Sequence, residues 1–469
     1  MYNRLKRGDS MQPIFSYDEF TKSLRNHLRF FNVNHYGFHS LLASKIAIEI
    51  QCLHVQKALI LCGASTDYLN VYHLKEQLAL LHIESFILDI QKENHFAYDV
   101  DLIVDAITLT SNSITDKLSH LIDELAIGNI PVLSIQFPYS LDPVSGLTRF
   151  SITPSTYTLI IHHLCYAHVL NDGFDMCGTR IFMTLSELLP WSESLVNYLP
   201  KSSMTLDLPP RKHHRHKYNY GHVLIIGGSP TMMGSVALSS TAALRSGCGL
   251  VSLAVHQANL PYTRVLPYEI MTPTYHDESS FNQLLDKKSS VAFGMGLSKD
   301  PLPFDMVKIL LKKDIPLVID ADGLFHSKKT LKKPHQNTRV VLTPHIKEFA
   351  SLLDLTIVEL QQDLIRYTQA FAKETSSIVL LKGPCTVVAS VDKVILVEAG
   401  HPGLAKAGSG DVLSGVIATY LAQNTDTYNA TIQALIHVTL VSEACLRTYS
   451  MESLLASDVI YQLSSLNDN

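Results

Sequence analysis

The chain has 469 residues, 46% hydrophobic and 17% charged, which is too long for one ordinary core and leads us to expect two folded domains. A net charge of −5 argues against a globally basic nucleic-acid binder. The seven cysteines (52, 62, 165, 177, 248, 385 and 445) include no C-x-x-C pair, so neither a zinc site nor a disulfide framework is signalled, and a reducing cytoplasm fits. No apolar run reaches the roughly 18 residues of a membrane helix, and the basic start Met1-Tyr2-Asn3-Arg4 lacks the apolar segment of a signal peptide.

In chain order, short apolar runs predict strands at 58–63, 85–89, 102–106 and 132–135, with helical stretches between them such as 118–128. This alternation predicts a parallel, doubly wound α/β sheet. A break follows near 200–220. Pro209-Pro210 forbids helix, and Arg211-Lys212-His213-His214-Arg215-His216-Lys217 reads as a solvated basic linker rather than a metal site, because no carboxylate or cysteine accompanies its histidines. Domains are therefore expected at 1–205 and 206–469.

The second half opens a new series of strands at 222–228, 251–255, 290–294, 317–320, 340–343 and 378–381. Their ends carry Gly227-Gly228-Ser229, Gly294-Met295-Gly296, Asp320-Ala321-Asp322-Gly323, Thr343-Pro344-His345 and Lys382-Gly383-Pro384-Cys385-Thr386. Ligands of open α/β sheets sit beyond such ends, so one long cleft is expected. No P-loop motif is present. The most informative stretch is Gly408-Ser409-Gly410-Asp411, delivered onto an amphipathic helix with apolar residues at 412, 413, 416, 417, 420 and 421. Bare amides at that N-terminus suit an anion. Asp411 either caps the helix or takes a proton from a hydroxyl that attacks a phosphoryl group.

Together these segments resemble the NAD(P)H-hydrate dehydratase family, of ribokinase-like fold, from about Lys217 to Asp458. The resemblance implies two α/β three-layer sandwiches, the N-terminal one Rossmann-like and the C-terminal one ribokinase-like. It implies a lyase in which Asp411 accepts the proton of the C6 hydroxyl of hydrated NADH or NADPH, while ADP or ATP with Mg2+ supplies the phosphoryl group. It assigns nucleotide contacts to Lys382, Gly383, Pro384, Cys385, Thr386, Gly408, Ser409 and Gly410, and hydrated-cofactor contacts to Ser235, Gly296, His345 and Asp411. Asp320 and Asp322 either hold loop geometry or touch ligand. Phe325 and Tyr268 depart from the family's usual Asn and Pro. The family tends to form homo-oligomers, and the fused architecture resembles its ADP-using branch.

The first half resembles the NAD(P)H-hydrate epimerase domain, with its site residues altered. Thr66-Asp67-Tyr68-Leu69-Asn70-Val71 replaces the phosphate-approaching run, and Gln136 stands where the catalytic Asp is expected. Asp105 matches a potassium ligand and reads as a relic or structural aspartate. A degenerate epimerase-like domain is expected, with an epimerase using another base as the opposing view. For the second half, the alternatives are a ribokinase-like small-molecule kinase and a catalytically dead nucleotide-binding regulator.

Overall fold

The computed structural model describes residues 11–30, 35–63, 69–90, 99–107, 129–149, 154–185, 194, 196–207, 211–332, 335 and 337–464. The expected helix at 118–128, Pro209-Pro210 and residues 66–68 of the altered loop lie outside these. The chain divides into two compact units, Pro13–Leu195 and a second that contains Val196–Asn469.

Among the described residues, the N-terminal unit holds a six-stranded, all-parallel sheet. Its spatial order is Glu84–Asp89, Lys57–Cys62, Leu102–Asp105, Val132–Ile135, Tyr157–Ile161 and Thr179–Met183. The last two strands were not read from the sequence. Successive strand residues feed opposite cores: Ala58 and Ile60 pack on one face, Leu59 and Leu61 on the other. That two-residue period explains why both faces are apolar, as a buried parallel sheet requires.

The C-terminal unit carries a larger sheet. Thr274–Tyr275, Leu250–His256, His222–Ile226, Ser290–Phe293, Leu317–Ile319, Val340–Leu342 and Ile378–Leu381 lie side by side and parallel. Thr386–Ala389 and Val394–Val397 follow as antiparallel strands. Val196–Leu199 then pairs parallel with Val394–Val397. This strand corrects the expected domain boundary of 205/206 to 195/196. Prolines mark a local break in the chain, whereas the partner that claims a four-residue strand is remote. Tyr198 Oη donates to Glu398 Oε2 at 2.6 Å, and Lys201 Nζ donates to Gly400 O at 3.0 Å and pairs with Glu443.

Helix Met233–Arg245 packs on helix Ser409–Gln423 over the main core. The approach is close at Gly415, where an added Cβ would lie 2.9 Å from Ser239 C and 3.1 Å from its Cα. No helix among the described residues is long and apolar enough to cross a membrane.

Candidate active site

Five Gly-rich or polar strand ends stand in one row, because His222–Ile226, Ser290–Phe293, Leu317–Ile319, Val340–Leu342 and Ile378–Leu381 are consecutive neighbours. The strand order reverses between the first two of these, which is the switch point where open sheets bind ligands. There Gly228 N donates to Met295 O at 3.0 Å and Ser229 N to Gly296 O at 2.6 Å, locking two loops together. Gly294 has φ +118°, and a Cβ on it would lie 2.5 Å from Gly323 Cα. Only glycine meets both conditions.

Helix Ser409–Gln423 starts at Gly408, whose φ of +95° makes it a left-handed cap without a side-chain bond. Asp411 therefore does not cap the helix. It is the third helical residue, and the first ladder bond is Val412 N to Gly408 O at 3.0 Å. The amides before it face outward at the positive end of the helix. Burial pushes the Asp411 carboxyl up to about 6, and the negative charges of Asp320 and Asp322 add to this. A hydrogen bond from Ser235 and the Lys382 cation oppose the rise. A carboxylate so placed is a proton acceptor near neutral pH.

Lys382 ends strand Ile378–Leu381 and turns its Nζ to Asp320 Oδ1 at 2.9 Å. A Cβ at Gly410 would come within 3.2 Å of that Nζ and 3.7 Å of Asp320 Oδ2. The bare Gly410 backbone thus lies directly against the lysine. Gly296 sits under Ser235, whose Cβ would be 3.1 Å from an added Cβ there. His345 bridges to Lys382 through the backbone, and Lys382 N donates to Pro344 O at 2.9 Å. Gly296, Ser235, Asp411, Gly410, Lys382 and His345 therefore form a continuous chain of neighbours.

The remaining candidates are placed less directly. His345 caps helix Ile346–Leu353 reciprocally with Glu348 and keeps half its side chain exposed. Gly383 and Pro384 form an exposed turn, while Cys385 and Thr386 are buried, leaving Cys385 only its backbone to offer a ligand. Asp322 Oδ2 accepts from Ser298 N at 3.0 Å, which gives it a loop-holding role. Phe325 is half exposed, with Lys299 Nζ 5.4 Å from its ring centre, and Tyr268 is fully exposed. Ser414, which donates to Asp320 Oδ2 at 2.6 Å, was missed. Its only sequence signal is helical spacing of three from Asp411. The linker histidines 213, 214 and 216 are exposed, and among the described residues no cluster of three His, Cys, Asp or Glu is set to hold a metal.

In the N-terminal unit, Gln136 is fully buried and backbone-engaged. Its Oε1 accepts from Ile161 N at 2.7 Å, its Nε2 donates to His163 O at 3.4 Å, and its carbonyl meets His168 Nε2 at 2.6 Å. Asp105 is buried, and burial pushes its carboxyl up to about 6. Tyr139 N and Ser134 Oγ donate to its Oδ2, and Ile107 N to its Oδ1. Tyr139, Ile107 and Leu61 pack together at the ends of the central strands.

The family model for NAD(P)H-hydrate dehydratase matches residues 223–464. The chain belongs to this family. A bifunctional NAD(P)H-hydrate repair enzyme of Moorella thermoacetica is 36% identical over 267 residues, covering 54% of this chain and 50% of that protein. The chain thus spans half the length of that relative. An ADP-dependent (S)-NAD(P)H-hydrate dehydratase of Bacillus subtilis is 30% identical over 254 residues, covering 54% of this chain and 91% of that protein. A ribokinase-like superfamily protein of Enterococcus faecalis superposes with a TM-score of 0.52 at 23% identity, covering 59% of this chain and 96% of that one. The C-terminal unit therefore has the ribokinase-like fold.

Proposed function

We propose that the C-terminal unit of this dehydratase-family chain returns (6S)-NAD(P)H hydrate to NAD(P)H, with ADP as phosphoryl donor. Asp411 takes the proton of the C6 hydroxyl. The freed oxygen pair attacks the terminal phosphoryl group, and AMP leaves with the electrons of the broken P–O bond. The C6–O bond then breaks, phosphate departs with its electrons, and the adjacent ring carbon gives up its proton to restore the double bond. The observation that carries this reading is Asp411 itself: raised to about 6 by burial, it lies in the first turn of a helix whose amides face an anion site.

Lys382, Gly410 and the first-turn amides suit a phosphate, since the bare Gly410 backbone leaves room beside a lysine Nζ that a Cβ would approach to 3.2 Å. Mg2+, when bound with the nucleotide, neutralises phosphate charge and needs few protein ligands. Gly383, Pro384, Cys385 and Thr386 border the nucleotide, and Ser235, Gly296 and His345 border the hydrated ring. We also infer that the N-terminal unit has lost epimerase chemistry. An amide replaces the carboxylate base, and its polar atoms are engaged by the backbone of Ile161, at the end of the strand beside it, and of His163 just beyond. Asp105 already receives three protein donors, so its retention is structural and no potassium role is assigned. The expected homo-oligomer is a matter for light scattering.

The test supplies the full chain with Mg2+ and mixed R and S hydrates, adding ADP or ATP separately, and follows the near-ultraviolet absorbance of reduced nicotinamide. We expect recovery with ADP to plateau at the S fraction, then creep at the rate of the buffer blank. Fast completion would restore epimerase activity to the N-terminal unit. No recovery with either nucleotide would remove the dehydratase reading. In the same assay the rate should fall about tenfold per pH unit below pH 6, because protonated Asp411 cannot accept a proton. A flat profile from pH 7 to pH 5 would remove Asp411 as the base.

A further inference from the structure

Asp320 is 2% exposed, yet it carries a carboxylate at the centre of the site. Its Oδ1 holds Lys382 Nζ at 2.9 Å and Ala321 N at 2.8 Å, and its Oδ2 holds Ser414 Oγ at 2.6 Å. Three separate segments are joined there: a strand end, a strand-to-helix turn and the helix bearing Asp411. The turn is strained, since Ala321 has φ +49° and ψ −125°, a region that favours glycine. Such strain persists where surrounding bonds over-determine it, which is common at functional sites.

Resting on the dehydratase reading, we propose that Asp320 is a positioning residue for phosphoryl transfer, seating Lys382 and, through Ser414 in its second turn, helix Ser409–Gln423 beneath the reacting groups while touching neither substrate. Its burial under Gly410 leaves the lysine, not the carboxylate, nearest the bare backbone where phosphate is expected. The charge of Asp320 also acts on Asp411. The charged groups facing Asp411 are Asp320, Asp322 and Lys382, with Ser235 as a neutral donor, and Asp320 is the larger of the two anionic influences. Without Asp320, Asp411 would ionise at lower pH and be a weaker base.

The experiment is a carbon-13 NMR titration of the full chain labelled at aspartate Cγ, with Asp411 assigned by the signal lost in Asp411→Asn. Asp320→Asn, whose Oδ1 can still accept from Lys382 while its Nδ2 donates to Ser414 Oγ, should lower the Asp411 midpoint by about one pH unit. The acid limb of the rate profile should move with it. Lys382→Met should raise the midpoint, because a cation is lost and Asp320 is unmasked. Opposite shifts support the proposal, since general loosening would hydrate Asp411 and lower both. An unchanged or raised midpoint in Asp320→Asn, or a fall in both variants, overturns it. If Asp320→Asn does not fold, Asp320→Ser is read in its place, with the same lowered midpoint expected and an unchanged or raised one overturning the proposal. The titration needs no turnover, so its failure is distinct from failure of the absorbance assay.

Discussion

Asp411→Asn is expected to cut recovery of reduced cofactor by about a thousandfold, within the range for loss of a general base. The replacement has the same shape, and its Oδ1 still accepts the Ser235 hydrogen bond, so the helix start is undisturbed. What disappears is the proton acceptor. Nucleotide affinity should hold or improve, because a negative charge beside the phosphate site has gone. Turnover is read by absorbance, and nucleotide binding by calorimetry on the same preparation. Loss of turnover with intact nucleotide binding is the expected pair of results. Retention of more than a tenth of wild-type turnover would remove Asp411 from the chemistry. Loss of both together with a lower melting temperature would instead assign it a structural role.

Gly415→Ala should destabilise the protein by at least about 2 kcal/mol, although Gly to Ala inside a helix ordinarily stabilises by up to about 1 kcal/mol. Packing reverses the sign. The new methyl would strike the Ser239 backbone of helix Met233–Arg245, 2.9 Å from its carbonyl carbon and closer still to its oxygen. Backbone cannot rotate aside as a side chain can, so the helices must part. That opens the buried layer formed by Val412, Val416, Val236 and Ala243, and moves Asp411 relative to Ser235. A melting temperature lower by about 4–8 °C is the expected calorimetric result for a unit of this size. An unchanged or higher melting temperature would show that the helix contact yields without cost.

Much of this architecture was legible locally. The four N-terminal strands read from apolar runs are present, and the run from Val412 to Leu421 lies within helix Ser409–Gln423 as its spacing required. Tyr157–Ile161 and Thr179–Met183 were missed, the former being an unbroken Tyr-Thr-Leu-Ile-Ile run of five whose strand character rests on its neighbours. Val196–Leu199 was placed in the wrong domain because its ladder partner lies about two hundred residues downstream. His345 was read as a ligand contact, and its His-x-x-Glu spacing, a helix-start signature, passed unused.

The sequence by itself determined the chemical groups: a Gly-Ser-Gly loop that bares its amides, an aspartate beside it, a lysine and a histidine at strand ends, and an amide in place of the N-terminal base. Side-chain chemistry and helical or strand periodicity are local properties, so they survive the absence of a fold. The tertiary structure alone decided how those groups act. Strand order set five loops in one row, Gly410 met Lys382, and Asp320 came to hold three segments while pressing its charge on Asp411. Burial and through-space charge depend on residues distant in the chain, so the rise of Asp411 toward neutral pH exists only once the chain has folded.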